Sequence, residues 1–283
     1  MPRISVVINT FNEEKNLPFA LRSVCQWVDE IVVVDMYSTD RTVEIAKQFG
    51  ANVHLHAGPG FRYPPREYAV QQASEPWVLM LDADELIPVS LSKTLRDIAQ
   101  EDQIDVAVIP RLNYLLGKPM AHSGWGPTQD MQFRFFRKDS IVACSTAHRD
   151  FVPKPGARTR KIAYDGRNAI VHFNYVDSTD FVERLNRYTT VEALQAMERG
   201  ERPTRSRAVA HALLEFANRF IRKKGFKDGW RGFYLCLFMV FYRIAVYAKM
   251  SEFQNAGGAE GIRSSYRAEA ERLLSSYDRV TST

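Results

Sequence analysis

The chain has 283 residues, 45% hydrophobic and 25% charged, with a formal net charge of +5. This is ordinary globular composition, which excludes a disordered or collagen-like chain and predicts one large domain with an appendage. The positive balance suits a phosphorylated substrate, an anionic membrane or a nucleic acid equally and decides nothing alone. Three scattered cysteines, Cys25, Cys144 and Cys236, lack metal-ligand spacing, so the sequence predicts reduced core thiols and no zinc site. No charged n-region followed by a long apolar stretch opens the chain, which predicts a cytoplasmic protein.

Ile4 to Ile8 is a short β-branched run of the kind that forms a strand buried on both faces. After Asn9 to Glu14, the apolar residues Leu17, Leu21, Val24 and Val28 recur at helical spacing, with Asn16 as the cap and Pro18 in the first turn. Strand, loop and helix then repeat as Ile31 to Val34, Asp35 to Asp40 and Thr42 to Phe49, with Gly50 as the stop. Val53 and Leu55 open a third strand, and a helix near Arg66 to Ala73 leads into the strand Trp77 to Leu81. This alternation predicts a mostly parallel sheet with helices on both faces. Leu91 to Ile98 reads as a helix and Val106 to Ile109 as a strand. From about Tyr114 glycines and prolines mark a loop-rich region, with short strand candidates at Gln132 to Phe136, Ile141 to Cys144 and Ala169 to Phe173.

From Asp180 the pattern becomes helical. Asp180 and Glu183 have capping-box spacing, Phe181, Leu185 and Tyr188 share a face, and Gly200 is the stop. A second helix would present Val209, Leu213, Phe216 and Phe220 on one side. Nine basic residues lie between Arg199 and Lys227 against two acids, Glu201 and Glu215. The run Gly232 to Tyr242 is apolar and aromatic, and with Arg243 as its stop it falls short of the roughly 20 residues needed to span a bilayer. A basic helix followed by an aromatic one can lie on an anionic membrane face, and a packed core helix with a solvated basic neighbour is the equal alternative. The tail after Gly258 reads as a short helix with a loose end.

The chemistry concentrates at Asp82-Ala83-Asp84. On extended backbone two carboxylates two residues apart point the same way, roughly 6.6 Å apart, and both can face one cation and its ligand. Isolated, such a pair is most often a solvated turn. Here it follows a buried strand, where an open α/β sheet presents ligands, and Asp35 to Asp40 follows another.

Thr10-Phe11-Asn12-Glu13-Glu14, Val34-Asp35 through Ser38-Thr39-Asp40-Arg41-Thr42, and Leu81-Asp82-Ala83-Asp84-Glu85 resemble, in order, the serial motifs of the large inverting glycosyltransferase family with the GT-A fold. The segments Gln132 to Arg137, Glu183 to Tyr188 and Gly225 to Gly229 resemble a narrower bacterial branch that includes lipopolysaccharide-core glucosyltransferase-like enzymes. The resemblance implies a GT-A architecture, a Rossmann-like mostly parallel sheet with flanking helices, plus a C-terminal helical extension. Residues 1–113 would bind the nucleotide sugar, 114–177 would carry mobile loops on the acceptor side, and 178–283 would form the helical region, on a membrane face or packed on the core.

The implied activity is an inverting transfer from a nucleoside-diphosphate sugar, a UDP-sugar, to a glycolipid or polysaccharide acceptor, with Mn²⁺ or Mg²⁺ at the diphosphate. Asp84 is then the direct metal ligand, with Asp82 beside it toward the ribose or donor sugar. Thr10, Phe11, Asn12 and Glu13 frame the base, Asp35 and Asp40 face the nucleoside, and Arg66 holds a phosphate at a helix start. Asp40 can also cap the following helix. Met36-Tyr37 stands where the family usually has small residues, and Arg66-Glu67 where relatives often carry Lys-Asn. For the general base the branch has a His-Glu pair where this chain reads His148-Arg149-Asp150. Asp150, His148 and Asp130 are the candidates.

Two other readings stand beside this one. A nucleotidyltransferase would want a glycine-rich loop after the first strand, and Thr10 to Glu14 has no glycine. A non-catalytic carbohydrate- or membrane-binding protein would fit the altered motifs. No nucleic-acid partner is expected, because the basic cluster carries no recognised motif.

Overall fold

Residues 2–57, 65–146 and 149–280 are described by the structure, a computed structural model; the side chains of residues 144–150 and 276–280 fall outside that description. The first half alternates as expected: β1 (Ile4–Thr10), α1 (Leu17–Val24), β2 (Glu30–Asp35), α2 (Thr42–Gln48), β3 (Asn52–Leu55), α3 (Arg66–Gln72) and β4 (Trp77–Asp82). Next come β5 (Glu85–Leu86), α4 (Val89–Glu101), β6 (Val106–Leu115) and β7 (Lys118–Pro119). The strands β8 (Met131–Arg137), β9 (Ile141–Thr146), β10 (Arg149–Pro153), β11 (Thr159–Lys161) and β12 (Ile170–Phe173) follow. Four helices end the chain: α5 (Ser178–Glu198), α6 (Arg205–Phe216), α7 (Gly229–Ala256) and α8 (Gly258–Val280).

The main sheet runs β3-β2-β1-β4-β8-β6-β12-β5, with β7 and β11 also paired to β6. Strands β3, β2, β1 and β4 are parallel, and β8 is antiparallel to both β4 and β6. Side chains alternate across β1. Ile4, Val6 and Ile8 enter one core layer with Leu17 and Leu21 of α1 and Leu91 and Leu95 of α4, while Val7 enters the other with Ala69 and Val70 of α3. Both faces of the parallel half are therefore covered, and its functional loops emerge at the strand ends. The expected α/β architecture and the C-terminal helical region are both present.

Cα packing divides the chain into two compact units, residues 1–181 with 219–233, and residues 182–218 with 234–283. In the first, β9 and β10 form a separate two-stranded hairpin. Several expectations shift in detail. Helix α5 begins at Ser178, because Asp177 Oδ1 accepts the N–H of Asp180 at 2.9 Å, so the cap lies three residues before the expected one. Of the face expected on the second helix, Val209 and Leu213 on α6 are 58% and 67% exposed, while Phe216 and Phe220 are half-buried. Cys25 is exposed, while Cys236 is buried as expected.

Arg243 does not stop the apolar run. In the second unit its Nη1 pairs with Glu192 at 2.8 Å and its Nε with Glu215 at 3.3 Å, so the charge is satisfied within the helix layer and α7 continues through it. With the turn before it, Gly225–Ala256 is long and apolar enough, by length and composition alone, to cross a membrane. The tail is also more helical than expected, since α8 runs 23 residues.

Candidate functional site

Strands β2, β1 and β4 end side by side, with Thr10 in register with Asp35 and Asn9 with Asp82. This brings the first two predicted clusters to one sheet edge. Asp35 is fully buried, and its carboxylate accepts from Thr10 Oγ1 at 2.9 Å and from the Ser38 N–H at 2.8 Å. Asn12, at φ 56°, accepts the Thr39 N–H at 2.8 Å and donates its own N–H to Ser38 Oγ at 2.8 Å. The loops after β1 and β2 are thus one hydrogen-bonded platform. Phe11 and Tyr37 stand exposed on it, Tyr37 with a left-handed φ of 62°.

Asp40 closes the platform. Its carboxylate accepts the N–H groups of Thr42 and Glu14, each at 3.0 Å, so it caps α2 and ties the β1–α1 loop to it. Burial alone would raise its pKa; the bonds from the Thr42 hydroxyl and from these N–H groups win and hold it below the ordinary carboxylate value. Glu13 joins the same clamp, donating its N–H to Thr42 Oγ1 at 2.8 Å.

The Asp-Ala-Asp segment departs from the extended geometry expected of it. Asp82 ends β4, Ala83 and Asp84 form a turn, and Glu85 begins β5, with the Asp82 N–H donating to Glu85 Oε2 at 3.0 Å. The turn gives the two carboxylates different partners. Asp82 lies between Arg66, at 2.8 Å, and Arg134, at 2.5 Å. Burial opposes its charge, but the two guanidiniums outweigh that cost and hold the carboxyl well below its usual range. Arg66, expected at a phosphate, is therefore turned to Asp82.

Asp84 instead faces His172 of β12, with Oδ2 3.4 Å from Nε2, and its carbonyl accepts the Phe173 N–H at 3.0 Å. His172 Nδ1 lies 2.7 Å from Asn113 Oδ1 on β6. The amide nitrogen of Asn113 donates to Asp130 Oδ2 at 2.7 Å and to the Trp125 carbonyl at 2.8 Å. Asp130 also accepts from Arg111 Nε at 2.9 Å and from Gln132 Nε2 at 2.5 Å. Arg111 bridges onward to buried Glu85 at 3.2 Å, and Glu85 lies 3.8 Å from Arg134. A continuous polar network therefore joins Asp82, Arg134, Glu85, Arg111, Asp130, Asn113, His172 and Asp84.

Among the described residues no three His, Cys, Asp or Glu side chains gather as a ready-made metal cage. A carboxylate oxygen and an imidazole nitrogen facing each other still suit a divalent cation that takes its remaining ligands from a diphosphate and water. Of the expected metal pair, Asp84 has this setting and Asp82 is committed to arginines. Of the base candidates, Asp130 sits inside the network, while His148 and the side chain of Asp150 lie outside the described residues. The sequence reading assigned no role to His172, Asn113, Arg111 or Arg134. Arg134 stood in a quoted motif segment and His172 in a strand candidate, but their partners are 52 and 88 positions away in the chain.

The model of the family described as glycosyl transferase family 2 matches residues 5–154. An uncharacterized glycosyltransferase of Rickettsia felis is 26% identical over 257 residues, 89% of this chain and 90% of that protein. The lipopolysaccharide core biosynthesis glycosyltransferase LpsC of Rhizobium meliloti is 25% identical over 262 residues, 87% of this chain and 91% of LpsC. Among solved structures, residues 1–349 of S. aureus TarS in complex with UDP-GlcNAc align with a TM-score of 0.46 and 17% identity, covering 90% of this chain and 92% of that one. A longer TarS chain is covered over 49% of its length, with a TM-score of 0.44 and 19% identity over 86% of this chain. The family match spans more than half the residues, and the motifs it covers lie along the strand ends just described: the chain belongs to glycosyl transferase family 2 and is a glycosyltransferase.

Proposed function

We propose that the protein transfers a sugar from a nucleoside-diphosphate donor, a UDP-sugar, to a glycolipid or polysaccharide acceptor of the lipopolysaccharide-core kind, with inversion and with a divalent cation at Asp84 and His172. The observation that carries this reading is the facing of Asp84 and His172 at the carboxyl edge of the sheet, beside the platform built on Asp35. On that platform Thr10, Phe11, Asn12 and Tyr37 frame the base, while Asp35, Asp40 and Glu13 hold the two loops in register. When bound, the cation supplies Lewis-acid stabilisation of charge on the leaving diphosphate. An imidazole ligand favours Mn²⁺ over Mg²⁺.

In the transfer the acceptor hydroxyl attacks the anomeric carbon, the bond to the diphosphate oxygen breaks on the opposite face, and a general base takes the hydroxyl proton. Asp130 is the least suited of the three candidates, because its oxygens accept from Arg111, Asn113 and Gln132. The reading therefore assigns the base to Asp150 first, with His148 second. Arg66 and Arg134 fix Asp82, which supports the turn that presents Asp84.

The acceptor's setting is a membrane face. On α7 the side chains of Trp230, Tyr234, Leu237, Phe241 and Ile244 are 40–56% exposed at spacings of four, three, four and three, a single stripe with Lys224 and Lys227 exposed just before it.

Calorimetric titration of nucleoside diphosphates, with and without Mn²⁺, tests the donor assignment. Metal-dependent binding of UDP by the wild type, weakened in Asp84→Ala, is expected. Metal-independent binding, or none by a folded protein, overturns it.

A further inference from the structure

We propose that Asn9, a residue without a role in any of the motifs, reads a ribose hydroxyl of the donor nucleotide; the word donor here rests on the transferase reading above. Two polar side chains close β1 at its carboxyl end, and their settings differ. Thr10 is buried and its hydroxyl is bonded to Asp35 at 2.9 Å. Asn9 is half-buried, and its Oδ1 is shut off from solvent with no hydrogen-bond partner among the described residues. A buried acceptor left unpaired is a cost to the fold, and native folds carry few of them.

Alternation along the strands places this amide. Val7, two residues before Asn9, packs under α3 in the layer that holds Val34 and Met80. Asn9 is in register with Val34 on one side and with Asp82 on the other. Asn9 therefore stands beside Asp82 on that face, about 4.8 Å away across the strands. The layer opens at this edge, since the Asp82 side chain is 26% exposed.

The edge then selects the ligand. A nucleotide reaching from the platform of Phe11 and Asn12 to Asp84 and His172 crosses the ends of β1 and β4 with its ribose. Asp82 was expected at that ribose, but its oxygens are committed to Arg66 at 2.8 Å and Arg134 at 2.5 Å. Its neighbour Asn9 still has an acceptor to offer. A primary amide both donates and accepts, as a sugar hydroxyl does, so the two pair without charge. A phosphate oxygen only accepts and would leave Oδ1 as it is. The arrangement also sets binding against stability. In the free protein Oδ1 gains nothing, so an apolar side chain of similar size suits the layer of Val7, Val34 and Met80 at least as well.

The test is calorimetric titration of the full chain, saturated with Mn²⁺, using UDP, 2′-deoxy-UDP and 3′-deoxy-UDP as probes. The wild type is expected to bind UDP about tenfold more tightly than one of the two deoxy nucleotides. Asn9→Leu should bind UDP about tenfold more weakly, bind that deoxy nucleotide as the wild type does, and melt no lower than the wild type without nucleotide. Should leucine not be accommodated, Asn9→Ala is read by the same ratio of UDP to deoxy-nucleotide affinity, because a ratio within one variant cancels general damage. Equal binding of all three nucleotides by the wild type, or a discrimination that survives in the Asn9 variants, overturns the proposal. A melting temperature that falls while the ratio persists makes Asn9 a packing residue and overturns it as well. These results leave the donor reading standing, whereas a folded wild type that binds no UDP overturns that reading and this one together.

Discussion

His172 Nδ1 lies 2.7 Å from Asn113 Oδ1, and the Asn113 amide can be oriented in only one way. Its nitrogen lies between two groups that can only accept, the Asp130 carboxylate and the Trp125 carbonyl. The oxygen therefore faces the imidazole, Nδ1 carries a proton, and Nε2 is the nitrogen turned to Asp84. Asn113→Ala releases this constraint while leaving both proposed ligands in the chain. Mn²⁺ affinity, read by calorimetry on the free protein, should fall about tenfold. An unchanged affinity would remove His172 from the ligand set.

Direct loss of a ligand should cost more than loss of its support. Asp84→Ala and His172→Ala should each reduce kcat by about 10²-fold or more at fixed Mn²⁺. Asp84 is partly exposed, so its melting temperature should move little; His172 is buried against Asn113, so His172→Ala should also lower it by leaving Asn113 Oδ1 unpaired, and its turnover is compared below that temperature. A variant that retains turnover within a few-fold would sink the metal assignment at that residue.

Asp82 predicts the opposite pattern, with stability as the main readout. Asp82→Asn leaves Arg134, which is 6% exposed, with only Glu85 at 3.8 Å. The expected loss is about 2 kcal/mol, below the full value for a buried pair because the Asp82 side chain is 26% exposed. The sign with pH follows from the depressed folded-state pKa. The unfolded carboxyl titrates near about 3.9, so the stabilisation is complete above that value and is lost as pH falls toward the folded pKa. Denaturant melts of wild type and variant should differ by a constant amount from about pH 5 to 8 and converge in acid. A gap that does not begin to shrink as pH falls below the unfolded carboxyl pKa would mean the arginines do not act through this charge.

A second carboxylate checks the same logic away from the site. Hydrogen bonds from Arg158 chiefly, with burial opposing, bring Asp105 to about 2. The Arg158 side chain is 52% exposed, so Asp105→Asn should cost under about 1 kcal/mol at neutral pH. That difference should disappear between about pH 4 and pH 2. A cost above 2 kcal/mol would indicate that the Arg137 and Arg158 pairings act as a buried network.

How much of this was legible in the chain depends on range. The parallel half could be read because each strand is a β-branched run and each helix keeps its apolar spacing, and these are local signals. Asp35, Asp40 and the acids around Asp82 were visible because they follow those strands. The network behind them was not. Asn113 and His172 are polar residues in strands whose neighbours are set by an antiparallel insertion, β8, between two parallel groups, and no local pattern announces such a pairing. The Asp-Ala-Asp geometry was misjudged for a related reason: extended backbone was carried two residues too far, and the turn at Ala83–Asp84 is accompanied by Glu85 reaching back to the Asp82 N–H. On α6 helical spacing was read correctly, but spacing alone does not say that a face is covered, and Val209 and Leu213 are exposed.

The exposed stripe of α7 gives the last prediction. An apolar helical face beginning with Trp230 and preceded by Lys224 and Lys227 should bind vesicles through both area and charge. The wild type should sediment with vesicles containing about 30% anionic lipid and much less with neutral ones, and added salt should weaken the association. Trp230→Glu with Phe241→Glu places charge within the stripe, so vesicle binding should fall at least about tenfold while UDP binding, measured in the same preparation, is retained. If the double variant sediments as the wild type does, the stripe is not a membrane contact. If UDP binding falls with it, the stripe belongs to the packing of the enzyme and the membrane assignment fails on that ground.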